Sequence, residues 1–167
     1  MTFDGSLAHQ LIPLQPGEVR QYWHLIEPGL LSMINDGMIQ GRWNAPEVYS
    51  LLVANKATIY MCSVHRAGSA GYKDRDEAIE DASGFYVLTK DAELDGFKLN
   101  IWIAVSNDNT NKQQSGSIMR IFRQELIQLS KDLGCNAITF SSNLKWWNKV
   151  APHLGFEMDL IKWRLPV

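Results

Sequence analysis

The sequence predicts an α/β fold in which one mixed β-sheet carries helices on both faces. Short runs rich in β-branched and aromatic residues alternate with longer runs in which apolar residues recur every three or four positions. Glycine, proline and polar clusters separate these runs. The resulting element order, β-α-α-β-β-β-α-β-α-β, is typical of helices packed on a central sheet.

The first strand and the first two helices follow from turn residues, periodicity and capping. Residues 6–14 form the first predicted strand, which ends at a stretch containing proline and glycine. Residues 16–35 have apolar side chains at i, i+3, i+4 and i+7 counted from Val19, which predicts one or two helices. In residues 44–56, Asn44 can cap a helix whose first turn contains proline and glutamate.

The rest of the chain predicts five more strands and two more helices. The charged, glycine-bearing residues 65–82 are predicted to form a loop, and residues 91–96 a hairpin turn. The apolar stripe of residues 117–134 predicts a helix that stops at Gly134, and residues 143–155 predict a short helix. The five strands are predicted at residues 57–64, 83–90, 97–105, 135–142 and 156–167.

The composition is that of a globular protein without a nucleic-acid partner. Of the 167 residues, 46% are hydrophobic and 20% are charged, and the formal net charge is −2. A chain of this length is expected to form a single domain, residues 1–167, with a substantial core. No cluster of lysine or arginine stands out in the sequence, which argues against a partner held by phosphate contacts.

Cysteine usage and hydropathy predict a cytoplasmic location. Cys62 and Cys135 are far apart in the sequence and have no metal-like spacing, which favours two buried thiols and no metal site. The first ten residues lack the basic and apolar regions of a secretion signal. No apolar run approaches 18 residues, so we expect no membrane contact.

Residues 111–122, NKQQSGSIMRIF, raise the question of a phosphate site. They follow a predicted strand and open into a helix, and backbone N–H groups at a helix N-terminus bind anions well. Glycine lets a backbone approach a phosphate closely, and Ser115, Gly116 and Ser117 are small. Ile118 is compatible with this role if its side chain points into the core. The stretch is a working phosphate site, the remnant of one, or only a glycine-bearing connection.

This stretch carries the first part of a resemblance to a known family. Gln113-x-x-Gly116-x-Ile118 is similar to the Gln/Arg-x-x-Gly-x-Gly/Ala motif of the GCN5-related N-acetyltransferase (GNAT) superfamily. The chain departs from that motif at Ile118, where the family has a small residue, and its loop is longer. The order of elements over about residues 58–167 also resembles the family.

A second motif is more specific. Residues 141–157, SSNLKWWNKVAPHLGFE, are similar to the family's sequence of strand, Asn, short helix, Leu-Gly-Phe and final strand. Asn143 and residues 154–156 fit this pattern. The overall style also resembles small acetyltransferase-like proteins of tailed bacteriophages.

The resemblance implies a fold, a co-substrate and a binding cleft. It implies a GNAT-like mixed sheet of six to seven strands, with a cleft where the parallel strands 97–105 and 135–142 part. Acetyl-CoA would lie there as co-substrate, with its pyrophosphate on a helix N-terminus and its pantetheine arm along the backbone of the first strand. The implied cofactor-binding residues are Ile103, Ala104, Val105, Gln113, Ser115, Gly116, Ser117, Ile118 and Asn143.

The resemblance also implies direct attack of an amine on the thioester, without a covalent enzyme intermediate. Family members commonly protonate the departing thiolate with a Tyr, but Ala151 occupies that position here. His153 is a candidate acid because its ordinary pKa is near neutral, and Ser142 could relay a proton through water. Glu93, in the predicted hairpin, is a candidate base.

Three interpretations of the function remain open at the level of sequence. The first is an N-acyltransferase acting with acetyl-CoA on an amine of a small molecule or a protein, without a metal. The second is a catalytically idle domain of the same fold, serving as a virion component or as a binder of host proteins in the host cytoplasm. The third is an α/β domain without a cofactor. The loss of the family Tyr favours the second over the first, whereas the strand–Gly–helix unit favours the first over the third.

Overall fold

The computed structural model describes residues 9–36, 43–64, 71–107, 114–142, 144–159 and 163–167. No helix within these ranges is both long enough and apolar enough to cross a membrane. The elements, in chain order, are β1 (His9–Pro13), a 3₁₀ turn (Pro16–Glu18), α1 (Val19–Asn35), α2 (Ala45–Val53), β2 (Thr58–Val64), α3 (Arg75–Glu80), β3 (Gly84–Glu93), β4 (Gly96–Ser106), α4 (Gln114–Ile121), α5 (Arg123–Asp132), β5 (Cys135–Phe140), α6 (Trp147–Val150) and a second 3₁₀ turn (Ala151–Leu154).

The sheet is mixed, as predicted, with the order β1-β2-β3-β4-β5. The first four strands pair antiparallel with their neighbours, and β4 pairs parallel with β5. Five strands lie in the described ranges, so the predicted six to seven strands are not confirmed. Residues 156–159 and 163–167, predicted to be the closing strand, form neither strand nor helix. Phe156 is half-buried, but the apolar side chains that follow it in these ranges, Met158, Trp163, Leu165 and Val167, are exposed, so burial within the described residues does not hold them against the sheet.

Helices cover both faces of the sheet, which confirms that part of the prediction. One apolar cluster packs α1, α2 and α3 against one face, and its members include Ile26, Val48 and Ile79. A second cluster packs α4, α5 and α6 against the other face, with Phe122 and Leu126 among its members. The amphipathic stripes of the sequence therefore point to two separate cores, one on each side of the sheet.

The capping signal of α2 is confirmed in detail. The N–H of Glu47 donates to Oδ1 of Asn44 at 2.9 Å, and the N–H of Asn44 donates to Oε2 of Glu47 at 3.3 Å. This reciprocal pair satisfies two donors that a helix N-terminus leaves without partners. The predicted helix 117–134 is instead two helices, because the helical conformation is interrupted at Phe122. The first of them, α4, also begins earlier than predicted, at Gln114.

The prediction of a loop over residues 65–82 is wrong for its second part, which contains α3. Asp74 caps α3 by accepting from the N–H of Glu77 at 2.9 Å, and Ala78 and Ile79 are fully buried. With only two apolar side chains among many charged ones, the segment has too little apolar periodicity to predict a helix. The helical structure of α3 therefore depends on packing against the rest of the domain. Residues 65–70 lie outside the described residues.

Charged contacts anchor α3 to the start of α1. Arg75 Nη2 donates to Oε1 of Glu18 at 3.0 Å and to the carbonyl oxygen of Pro13 at 2.7 Å, and the hydroxyl of Tyr22 donates to the carboxylate of Asp76. The hydrogen bond from Arg75 lowers the pKa of Glu18. Burial and the bond to Asp76 raise the pKa of Tyr22 to about 12. These contacts join segments more than 50 residues apart, so α3 is a docked structural element.

Candidate functional site

The central feature of the site is a β-bulge in β4 at Trp102. In the pairing of β3 with β4, Val87 lies opposite Ile103 and Leu88 lies opposite Ile101, so Trp102 is an extra residue on β4. A bulge bends its strand and shifts the alternation of side chains. Accordingly Ile101 packs into the core under α5, whereas Ile103 packs into the core under α1.

The two parallel strands part at this bulge. The register of β4 with β5 runs from the pair Phe97–Cys135 to the pair Ile101–Phe140, and β5 ends there. β4 continues to Ser106. Ser141 and Ser142, which follow β5, are exposed and no longer pair with β4. The C-terminal half of β4 thus extends beyond the end of its parallel neighbour.

The N-terminus of α4 lies beside this half of β4. The side chain of Ile118 is buried, with its Cδ1 only 2.5 Å from where a Cβ on Gly84 would stand. The Cα of Ser106 is 3.0 Å from that same point. Ile118 therefore packs against the end of β4, and the preceding turn of α4 starts close to it. In a first helical turn, the backbone N–H groups have no acceptors within the helix.

The predicted cofactor residues fall into four groups. Ile103, Ala104 and Val105 are buried, so only their backbone groups can face a ligand. Ile118 points into the core, as the phosphate-site hypothesis requires. Residues 115–117 form the first turn of α4. Gln113 and Asn143 lie outside the described residues.

The structure brings two of the three predicted catalytic residues to one end of β5 and separates the third. Ser142 is exposed two residues after β5, where its Oγ accepts from the N–H of Leu144 at 3.1 Å. His153 is exposed in the second 3₁₀ turn. Glu93 pairs with Gly96 at the opposite end of β4. At about 3.3 Å per residue it lies about 20 Å from the bulge, so the hairpin prediction for the base does not fit the site.

Four aromatic rings pack at the same end of β5. The ring of Phe140 lies 4.7 Å from that of Trp147 and 5.0 Å from that of Phe156. Trp146 stacks on Trp147 with a centroid distance of 4.4 Å. This aromatic cluster joins the core under α5 and α6. It fixes the position of the chain that carries Ser142 and the second 3₁₀ turn.

Arg123 is a contributor that the sequence reasoning missed. Its Nε donates to the carbonyl oxygen of Leu154 at 3.0 Å. Gly155 has φ +88°, and a Cβ there would lie 3.1 Å from Nη2 of Arg123. The left-handed backbone therefore favours the glycine of the Leu-Gly-Phe motif, and a side chain there would also have to displace the guanidinium by a few tenths of an ångström. As predicted, Gly155 and Phe156 close a short helical segment, but no strand follows in the described residues.

Two buried polar groups lie between the sheet and α5: the hydroxyl of Tyr86 and the carboxylate of Glu125. The Tyr86 hydroxyl and Oε2 of Glu125 are buried and have no hydrogen-bond partner among the residues that the structure describes. Burial raises the pKa values of Tyr86 and Cys62, and the Glu125 carboxylate raises both further. Cys62 is fully buried as a thiol, in agreement with the sequence prediction. Within the described residues no group of three or more His, Cys, Asp or Glu could hold a metal.

Comparison with known proteins identifies the fold. No model of a known protein family matches the sequence, and no curated protein matches it. Among solved structures, a probable acetyltransferase matches with a TM-score of 0.60 and 14% identity, over 95% of this chain and 98% of that one. A ribosomal-protein-alanine N-acetyltransferase from Brucella melitensis biovar Abortus 2308 matches with a TM-score of 0.60 and 12% identity, over 96% and 100%.

A third similar structure is an aminoglycoside acetyltransferase from an uncultured soil metagenomic sample, in complex with sisomicin. It matches with a TM-score of 0.58 and 9% identity, over 96% of this chain and 97% of that one. At these identities the likeness concerns the fold alone. The chain therefore shares its mixed α/β fold with these three acetyltransferase structures over nearly its full length.

Proposed function

We propose that the protein is an acyl-CoA-dependent N-acyltransferase that transfers an acetyl group from acetyl-CoA to an amine. The observation that carries this proposal is the parting of β4 from β5 at the Trp102 bulge, next to the N-terminus of α4. A strand end, an opening beside it and a row of helix N–H groups suit a long thioester with a pyrophosphate at one end.

The distribution of charge supports the same ligand. Residues 107–155 carry six basic and three acidic side chains, although the whole chain has a net charge of −2. This segment includes α4, α5 and α6, the helices on the proposed cofactor side. A net positive charge on this segment is favourable for a ligand that carries the phosphate groups of coenzyme A. Residues 115–117 are small, so their backbone can approach the pyrophosphate.

The chemistry requires few side chains. A backbone N–H of β4 near the bulge would donate to the thioester carbonyl oxygen and stabilise the negative charge that develops there. The nitrogen lone pair of the amine attacks the carbonyl carbon, a C–N bond forms, the C–S bond breaks, and CoA leaves as a thiolate. Holding the two reactants together contributes much of the acceleration. The amine must lose a proton and the thiolate must gain one.

His153 and Ser142 are the proposed proton carriers, because both are exposed near the C-terminal end of β5. Ala151, where the family has Tyr, is half-buried in the same 3₁₀ turn. The named acetyltransferases of this fold include one for an alanine of a ribosomal protein and one for aminoglycosides. The acceptor class proposed here is correspondingly broad, an amine of a small molecule or of a protein.

Binding of acetyl-CoA is the direct test of the proposed function. At 100 times its dissociation constant, acetyl-CoA is expected to stabilise the protein by about 2.7 kcal/mol. Thermal unfolding with acetyl-CoA, CoA and an unrelated nucleotide measures this. The proposal requires a rise in Tm with the first two ligands and none with the third. No shift at millimolar acetyl-CoA would rule it out.

The role of His153 is tested by turnover. His153→Ala is expected to slow acetyl transfer by about 10²–10⁴-fold, the usual effect of losing a general acid. Ala151→Tyr is expected to raise the rate, because it supplies the hydroxyl that the family uses. The measurement is release of CoA thiol from acetyl-CoA with a panel of small amines and peptides, and His24→Ala on α1 is the matched control. Equal rates in all four proteins would remove His153 from the mechanism.

The second candidate function is a catalytically idle domain of this fold, used as a virion component or a binder of host proteins. Ala151 in place of the family Tyr and the tightly packed aromatic cluster at the end of β5 favour it. The two candidates differ in one respect that the thermal experiment measures. An idle domain with a closed cleft shows no stabilisation by acetyl-CoA and no release of CoA thiol.

A further inference from the structure

A groove opens between α1 and α2 on the side that faces away from the sheet. Its volume is about 390 Å³, and its lining residues are Arg20, Trp23 and Glu27 of α1 and Pro46, Tyr49 and Ser50 of α2. Their neighbours Tyr22, Ile26 and Val48 are buried in the core against the sheet, so the groove lies on the outer surface of the two helices. Small-molecule sites usually have volumes of about 300–1,000 Å³. The groove is separate from the proposed acetyl-CoA site, because α4 packs on the opposite face of the sheet.

Two aromatic side chains form walls of the groove that are fixed by contacts within the chain. The ring of Tyr49 lies 5.0 Å from that of Trp23, with an angle of 78° between the two planes. The indole Nε1 of Trp23 donates to Oε2 of Glu27 at 2.8 Å, which sets the orientation of the indole. Both rings are half-buried and pack against the core under α1. The face of an aromatic ring is electron-rich and attracts cations, most strongly in tryptophan.

The carboxylate of Glu27 can accept more than this one hydrogen bond. An ionised carboxylate has about four acceptor positions, and the indole of Trp23 occupies one of them. Among the described residues, no lysine, arginine or histidine forms an ion pair with Glu27. Arg20 lines the same groove, but it lies seven residues earlier on α1, which is about 10 Å along the helix axis. A half-buried carboxylate beside two aromatic rings is therefore available to a cation from outside the chain.

The charge of this face of the protein favours a cationic ligand. The helices α1, α2 and α3, with the first 3₁₀ turn and the capping residues (16–36, 44–54 and 74–81), carry nine acidic and two basic side chains. One of the two basic side chains, Arg75, pairs with Glu18, and the other is Arg20. A surface with an excess of one charge raises the local concentration of ions of the opposite charge.

We infer that this groove is a binding site for a small organic cation, a quaternary or alkyl ammonium ion with a single positive charge. The ammonium group lies beside the carboxylate of Glu27 and against the rings of Trp23 and Tyr49, and its apolar substituents cover Pro46. Arg20 at the other end of the groove limits the ligand to one positive centre, because a longer ligand with a second cationic group would approach its guanidinium. The inference does not depend on the proposed acetyl transfer.

Titration with choline, followed by the indole N–H signals in NMR spectra, tests this inference. The signal of Trp23 is identified by its absence from the spectrum of Trp23→Phe. We expect it to shift saturably with choline, and much less with the neutral tert-butyl analogue in which carbon replaces the charged nitrogen. Glu27→Gln keeps the size of the side chain and an oxygen that can accept from the indole. This substitution is expected to weaken choline binding about 10-fold, because it removes the charge beside the ammonium group.

Two further variants separate a contact in the groove from the general charge of this face. Glu80→Gln removes the same charge from α3, and Glu80 does not line the groove. Its affinity for choline is expected to stay within about twofold of the wild-type value, because solvent ions screen exposed charges at a distance. Arg20→Gln removes a charge of the same sign as the ligand and is expected to tighten binding. Weaker binding in Arg20→Gln would instead make the guanidinium a ligand contact and contradict a cationic ligand.

Three other results would overturn the inference. If the Trp23 signal does not shift saturably at tens of millimolar choline, the groove does not bind such a cation. An equal shift with the neutral analogue would show that charge is not recognised. An unchanged affinity in Glu27→Gln would remove the carboxylate from the site. Stabilisation by acetyl-CoA is measured separately and should be the same in Glu27→Gln as in the wild-type protein, so failure of one proposal leaves the other intact.

Discussion

Replacing Gly84 with alanine is expected to lower the free energy of unfolding by about 3 kcal/mol or more, because the site has no room for a Cβ. A Cβ there would lie 2.1 Å from the carbonyl oxygen of Val105 and 2.5 Å from Cδ1 of Ile118. The first of these atoms belongs to the backbone of β4, so a rotamer change cannot relieve the contact. Either β3 and β4 separate, or α4 moves away from the sheet.

Gly17 supplies the matched control for this experiment. A Cβ on Gly17 would have no atom within 4 Å, and the residue lies in the first 3₁₀ turn. Gly17→Ala is therefore expected to change the stability by less than about 0.5 kcal/mol. Urea unfolding of the two variants gives both values. Equal stabilities would show that β3, β4 and α4 are packed less closely than their contacts around Gly84 indicate.

Replacing Gly116 with aspartate is expected to abolish binding of CoA, with a loss of affinity of about 100-fold or more. The substitution adds a negative charge and a side chain to the first turn of α4, where the proposal puts the pyrophosphate. Two negative groups in that position repel each other in a poorly screened site. Folding should be nearly unaffected, because an acidic residue near a helix N-terminus is favourable. Isothermal titration calorimetry measures the affinity.

Two variants separate the effect of charge from the effect of size. Gly116→Ala adds a methyl group without charge and should weaken binding far less. Gln124→Asp adds the same charge on an exposed position of α5 and should have little effect. If Gly116→Asp binds CoA as tightly as the wild-type protein, the first turn of α4 is not the phosphate site. A variant that fails to unfold cooperatively would be detected beforehand by circular dichroism.

The local elements were largely predictable because their signals are local. The capping box of Asn44 and Glu47 is complete within four residues, and the structure confirms it. The stop at Gly155 needs only a left-handed residue after a helical turn. The alternating strands β2, β3 and β4 were found near their predicted positions for the same reason. Helix and strand periods are properties of a short window of residues.

The elements that sequence reasoning missed depend on distant contacts. α3 has only Ala78 and Ile79 as its buried side chains, and an arginine–glutamate pair spanning 57 residues holds it in place. The interruption between α4 and α5 at Phe122 also carries no glycine or proline signal. For the closing strand, the pattern of residues 163–167 was present, but this segment pairs with no strand in the described part of the chain.

For the candidate site, the sequence by itself determined which parts are present. These are a segment of small residues at the start of a helix, a strand that precedes it, and a Leu-Gly-Phe segment that ends the last helical turn. Only the tertiary structure decided how these parts are arranged. The bulge at Trp102 exists only in the register of β4 with β3, and it opens the sheet only because β5 ends opposite Ile101. The same register removed Glu93 from the site, by putting it at the far end of β4. Pairing register is a long-range property, because burial across two strands sets it, and no single segment contains that information.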